Sequence, residues 1–208
     1  WSLFMGLIAA SVIILGKEIE NIKSPLNIFW IIFGAVFAFI VVSLIPVTTP
    51  EGLWFIFFCG FIAIMAMILP GISGSFLLLI LGKYQYITGA IKNPFADQNF
   101  LILIVFSCGA ALGLLGFSRV LNYFLKHFRV QTMCVLTGIL IGSLKKIWPW
   151  KEVLETVTVR GKVKVLREQN IIPSSFDGEF FLAIGLIIIG FVFVLVLENL
   201  SRKKNLSQ

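Results

Sequence analysis

Residues 26–47 carry no charge at all, a run long enough for an α-helix to cross the roughly 30 Å hydrocarbon core of a bilayer. Further apolar runs cover residues 3–15, 53–69, 100–117, 130–144 and 180–197. Inside a bilayer no water satisfies the backbone, so such runs can only be helices paired within themselves. The expected fold is therefore an all-α polytopic membrane protein with about five spans. Composition agrees: 59% of residues are apolar, 13% are charged and the mean hydropathy is +1.01, more apolar surface than a soluble domain can bury.

The net charge of +7 raises the question of a nucleic-acid partner. The basic residues, however, form no face interleaved with aromatics. They fall in the gaps between apolar runs, as loops at an anionic membrane surface do, so the expected partners are the membrane and no nucleic acid. Cys59, Cys108 and Cys134 each stand inside an apolar run without metal-ligand spacing, and read as small buried hydrophobes. No metal and no cofactor is expected.

Taken in order, residues 3–15 are short for a span. Because the chain opens inside this run at Trp1, residues upstream are expected. Residues 17–24 form a charged connector. The 26–47 span has Trp30 near one end and Pro46 closing the other, and a turn over Thr48-Thr49-Pro50-Glu51-Gly52 follows. Residues 83–99, with Tyr84, Tyr86, Pro94 and Asp97, read as a polar connector. The 100–117 span carries Gly109, Gly113 and Gly116, a stripe that lets helices approach closely. Residues 120–128 mix apolar positions with Asn122, Lys126 and His127 in the manner of an interfacial helix. Period-two alternation over 156–159 and 162–165 around Arg160-Gly161 predicts a small β-hairpin in an aqueous loop. The expected organisation is a transporter core over 1–150, an extramembrane loop over 151–179, and a last span with a basic tail over 180–208.

One interruption dominates this pattern: Pro70-Gly71-Ile72-Ser73-Gly74-Ser75. As one straight helix, residues 53–82 would measure roughly 45 Å, too long for the bilayer core, while residues 73–82 alone would reach about 15 Å, half of it. A re-entrant or broken helix is expected here. Pro70 removes a donor, and the glycines permit backbone angles that other residues avoid. A new helix capped by Ser73 or Ser75 would point its first N–H groups into the break, the arrangement that binds anions. The plainer reading is a proline kink, which membrane helices tolerate. Near a span end, Ser118-Arg119 adds planar donors suited to a phosphate, against a reading of Arg119 as a snorkelling anchor beside Lys126 and Arg129.

Residues 5–11, Met-Gly-Leu-Ile-Ala-Ala-Ser, also match residues 137–143, Thr-Gly-Ile-Leu-Ile-Gly-Ser. Gly6 aligns with Gly138, Ala10 with Gly142 and Ser11 with Ser143, which suggests an internal repeat, inverted if residues 53–82 form a hairpin and running the same way if they cross. Convergence on a common packing stripe gives the same pattern.

The stretch from Pro70 to Leu79 with Gly82-Lys83-Tyr84, then Gly116-Phe117-Ser118-Arg119, then 137–144, resembles the bacterial polyprenyl-phosphate transporters, in the family's order. The resemblance runs over residues 1–150. It implies translocation of undecaprenyl phosphate, the lipid carrier of cell-wall sugars, across the bacterial cytoplasmic membrane for recycling. It further implies a phosphate site at Gly71, Ser73, Gly74, Ser75 and Arg119, with Pro70, Lys83 and Ser118 as secondary candidates. Members carry an earlier P-G-x-S-G-G stretch, so a missing N-terminal half of the same protein is an expected partner. Two other functions compete: a membrane lipid phosphatase or pyrophosphatase, and a carrier of a small soluble anion. The enzyme is disfavoured, since no Asp or Glu lies inside an apolar span to do acid-base or metal work; Glu198 sits at the end of the last one. No catalytic residue is expected.

Overall fold

The structure is a computed structural model. It describes residues 1–205 except 45, 48, 51, 97, 160–161 and 174–176, with side chains outside 153–168 and 202–205. Thr48 and Glu51 of the expected turn, Asp97 of the connector and Arg160-Gly161 of the β-turn lie outside the described residues. The elements are α1 (Ser2–Lys17), α2 (Pro25–Ser43), α3 (Leu53–Ile68), α4 (Gly74–Ile80), α5 (Tyr84–Lys92), α6 (Asn99–His127), α7 (Arg129–Ser143), β1 (Lys151–Val159), β2 (Lys162–Asn170) and α8 (Gly178–Asn205). By length and composition α2, α6 and α8 can cross a membrane, while α1, α3 and α7 are shorter apolar helices.

Two compact units share the chain, residues 19–142 in one, residues 1–18 and 143–208 in the other. In the first, glycines set the helix pairs. A side chain at Gly109 would run into the Phe57 carbonyl, and one at Gly113 into Phe61 and Ile64. Residue numbers rise together along both helices, so α3 and α6 lie parallel. Gly34 meets Val135, Gly138 meets Ile31 and Ala35, and Gly142 meets Ala35 and Ala38, so α2 and α7 are parallel as well. Close backbone approach gains dispersion contact where lipid offers no hydrophobic drive to pair helices.

The apolar run of α3 does not continue across the break. Gly74 comes back against Ala63 and Met67, and Leu78 shares a buried cluster with Cys59 and Ala63, with Phe55 and Leu81 packed on it. That register is antiparallel: α3 and α4 form a helical hairpin whose tip is residues 69–73. The tip is anchored by Ile72, buried with Ala38, Ala66 and Ile139.

Two sequence expectations shift at this level. The connector over 83–99 contains helix α5, whose Ile87 and Ala90 bury against Ile56 and Ile102. The 100–117 span and the interfacial piece over 120–128 are one unbroken helix, α6. No proline or glycine interrupts 117–127, so nothing ends the hydrogen-bond ladder there.

In the second unit α1 and α8 pack through Gly6, set against Ile187 and Phe191, and Gly190, set against Leu3 and Leu7. The β-hairpin extends beyond its predicted core to Lys151–Val159 and Lys162–Asn170, antiparallel, with an irregular register near Glu155. Its base is tied to the chain before it: Asn170 Nδ2 donates to Lys145 O at 2.7 Å, Trp148 Nε1 to Ile171 O at 2.9 Å, and Ile171 N to Trp150 O at 3.0 Å.

Candidate functional site

The hairpin tip is built by three backbone choices. Pro70 cannot extend α3, and Leu69 turns extended at its end. Gly71 takes φ 83°, a conformation costing other L-residues roughly 1–2 kcal/mol. Ser73 is extended (φ −98°, ψ 127°) and occupies the N-cap position of α4. Gly71, Ser73 and Ser75 are exposed at the tip, while Ile72 and Gly74 are buried beneath it.

The two ends of α4 are finished in opposite ways. At its C-terminal end Gly82, with φ 66°, closes a Schellman turn: Lys83 N donates to Leu78 O at 2.9 Å and Gly82 N to Leu79 O at 3.0 Å. The next two carbonyls are taken by the segment leaving α2. Val47 N donates to Ile80 O at 2.9 Å, and Thr49 Oγ1 to Leu81 O at 2.6 Å. The carbonyls a helix end leaves unpaired are thus satisfied by the protein itself.

The N-terminal end has no such provision. Ser73 makes no side-chain cap bond, and its hydroxyl pairs instead with the Ser75 hydroxyl at 2.8 Å. The N–H groups of Ser73, Gly74 and Ser75 have no acceptor among the described residues. The expected serine cap is therefore present by position and absent by bonding, leaving the donors of Ser73 and Ser75 on the exposed tip with the Gly74 N–H beneath them.

The remaining candidates are distributed around this tip. Ser118 and Arg119 lie exposed on α6, where Ser118 Oγ donates to Leu115 O at 3.3 Å. Carrying the α3–α6 register along the helix brings Arg119 level with Met67, in the last turn before the break. It projects roughly 120° round α6 from Gly113, off the face that touches α3. Arg119 has no hydrogen-bond or ion-pair partner among the described residues. The structure therefore brings Pro70, Gly71, Ser73, Gly74 and Ser75 together, sets Arg119 at the same level, and does not bring Arg119 into contact with them.

Lys83 stands apart from the tip, at the other end of α4 and about 10 Å along it. It is 3% exposed. Its Nζ donates to Thr49 O at 2.9 Å and sits 5.4 Å from the centre of the Tyr86 ring. Sequence reasoning missed the roles of Val47, which read as the end of the 26–47 span, and Thr49, which read as a turn residue. It also missed Ile72, although an isoleucine inside a Gly/Ser run is itself a sign of burial.

The chain is 39% identical over 210 residues to the polyprenyl-phosphate transporter of Vibrio cholerae, an alignment covering 98% of this chain and 67% of that protein. It is 36% identical over 97 residues to the polyprenyl-phosphate transporter of Staphylococcus aureus, covering 45% of this chain and 34% of that protein. No solved structure matches it. A family profile described as undecaprenyl phosphate translocase-like matches residues 1–165. The chain belongs to the undecaprenyl phosphate translocase-like family.

Proposed function

We propose that this protein is a transporter that moves a polyprenyl phosphate, of the undecaprenyl phosphate type, across the bacterial cytoplasmic membrane so that the carrier returns to envelope synthesis. The observation that carries the site is the asymmetry of α4: a C-terminal end satisfied by the protein, and an N-terminal end where the N–H groups of Ser73, Gly74 and Ser75 have no acceptor among the described residues. An anionic headgroup leaving water needs its hydration shell replaced by donors, and this tip supplies them. With only seven residues in α4, the attraction comes from the individual N–H and O–H groups of Gly71, Ser73, Gly74 and Ser75 more than from a helix dipole. Arg119 supplies the full charge at the same level, with Pro70 and Ser118 shaping the two flanks. The isoprenoid tail stays in lipid throughout.

In this reading the α3–α4 hairpin is re-entrant, entering and leaving on one side of the membrane. The match of residues 5–11 with 137–143 supports a further part of the reading, an inverted second copy of the break carried by another part of the protein and paired with this one. Flipping of undecaprenyl phosphate in liposomes by the full-length protein tests the proposal. Arg119→Ala and Gly74→Val should each remove transport, and normal transport by both would reduce the tip to a structural kink. Adding inorganic phosphate separates a lipid carrier from a small-anion carrier, since only the latter should move it.

A further inference from the structure

A lysine that is 3% exposed at the end of a helical hairpin calls for a reason. Burying an ammonium is costly unless it is paired, yet among the described residues Lys83 has one acceptor, the Thr49 carbonyl, and one ring, Tyr86. Tyr86 lies on α5, which follows Lys83 directly, while Thr49 lies on the segment that leaves α2, so the hydrogen bond is the contact that crosses between segments. Val47 N reaches Ile80 O, Thr49 Oγ1 reaches Leu81 O, and Lys83 Nζ reaches back to Thr49 O. Three bonds, two donated by the segment that leaves α2 and one returned by Lys83, thus stitch that segment to the limb that returns from the tip. α2 in turn packs its Ala38 beside Ile72 of the tip, so the strap and the tip are joined at both ends of α4.

We infer that Lys83 is a positioning residue that makes the strap at Val47 and Thr49 and the α4 limb move as one body, coupling a loaded tip to α2 without touching the phosphate. This rests on the reading of the tip as the phosphate site. The donors at Ser73, Gly74 and Ser75 are unchanged when Lys83 is replaced, so lipid still binds. What is lost is transmission of movement between hairpin and helix. A phosphate ligand at position 83 would behave in the opposite way.

The test uses the full-length protein in liposomes containing undecaprenyl phosphate, with Lys83→Met as an uncharged replacement of similar size. The expected result is a fall in maximal flipping rate of about tenfold or more, the scale of one hydrogen bond from a charged donor, with the half-saturating lipid fraction changed by less than about twofold. A raised half-saturating fraction at unchanged maximal rate would make Lys83 a ligand and overturn the inference, as would unaltered transport. A second measurement is independent of function. Spin labels at Val47→Cys and Leu79→Cys, both exposed positions, with Cys59, Cys108 and Cys134 replaced by Ala, report the distance across the stitch. One narrow distance is expected with and without lipid, broadened by Lys83→Met. An unchanged distribution in Lys83→Met would overturn the tie. Should the unaltered protein flip no polyprenyl phosphate, the functional reading fails while the distance measurement still decides the tie. Thr49→Val, which removes the second stitch alone, should broaden the distance less, and covers the case in which Lys83→Met does not insert.

Discussion

Gly71 and Gly74 lack side chains for different reasons, and substitution should separate them. At Gly71 the cause is the backbone, since φ is 83°; Gly71→Ala should destabilise the tip by roughly 1–2 kcal/mol and reduce flipping without abolishing it. At Gly74 the cause is space. A Cβ there would stand 2.8 Å from Met67 Cγ and against the Ala63 carbonyl, so Gly74→Val should wedge the two limbs apart and abolish transport, read as loss of flipping by protein still recovered in the membrane. Ser73→Ala removes one neutral hydroxyl bond, worth about 1 kcal/mol, and should be mild in the same assay. Arg119→Lys keeps the charge and loses the planar fork, and should fall between the unaltered protein and Arg119→Ala. The chemistry of these positions was legible in the sequence, because Pro, Gly and Ser announce a break and its donors. The pairing of the two serine hydroxyls was not, because N-cap preference and hydroxyl–hydroxyl bonding draw on the same residue types.

Among the elements, the hairpin was foreshadowed by length: an apolar stretch too long for one crossing and a second piece too short for its own. The sequence pattern divided α6 in two, but its polar end over residues 120–127, with the texture of a surface helix, continues the same helix without a break. Composition marks where a helix meets the interface, whereas continuity depends on whether anything breaks the ladder. Because Val47 bonds to Ile80 and Lys83 to Thr49, both limbs begin and end at the same place. Cysteines at Val47 and Tyr84, both exposed, should therefore react with an impermeant reagent from the same side of the membrane. Labelling from opposite sides would reject the re-entrant hairpin.

For the whole molecule, the glycine stripes of α6 and α7 advertised close packing without naming the partner, since a small-residue face fits any neighbour of complementary shape. Only the structure pairs α6 with α3 and α7 with α2. As a transporter, the protein should release no inorganic phosphate from undecaprenyl pyrophosphate in the same liposomes; measurable release would return the enzyme reading. The parallel pairings also bear on how the chain is made. Helices joined by a short turn meet as soon as both are synthesised, but parallel partners must wait for whatever lies between them. Gly34 meets Val135, so about 100 residues separate partners, and at about 5–20 residues per second α2 waits on the order of 5–20 s for α7. During that interval Gly34 lacks the Val135 backbone that packs against it. A ribosome-bound chain halted before α7 emerges should leave α2 open to crosslinking by the insertion machinery, and one halted beyond it should not.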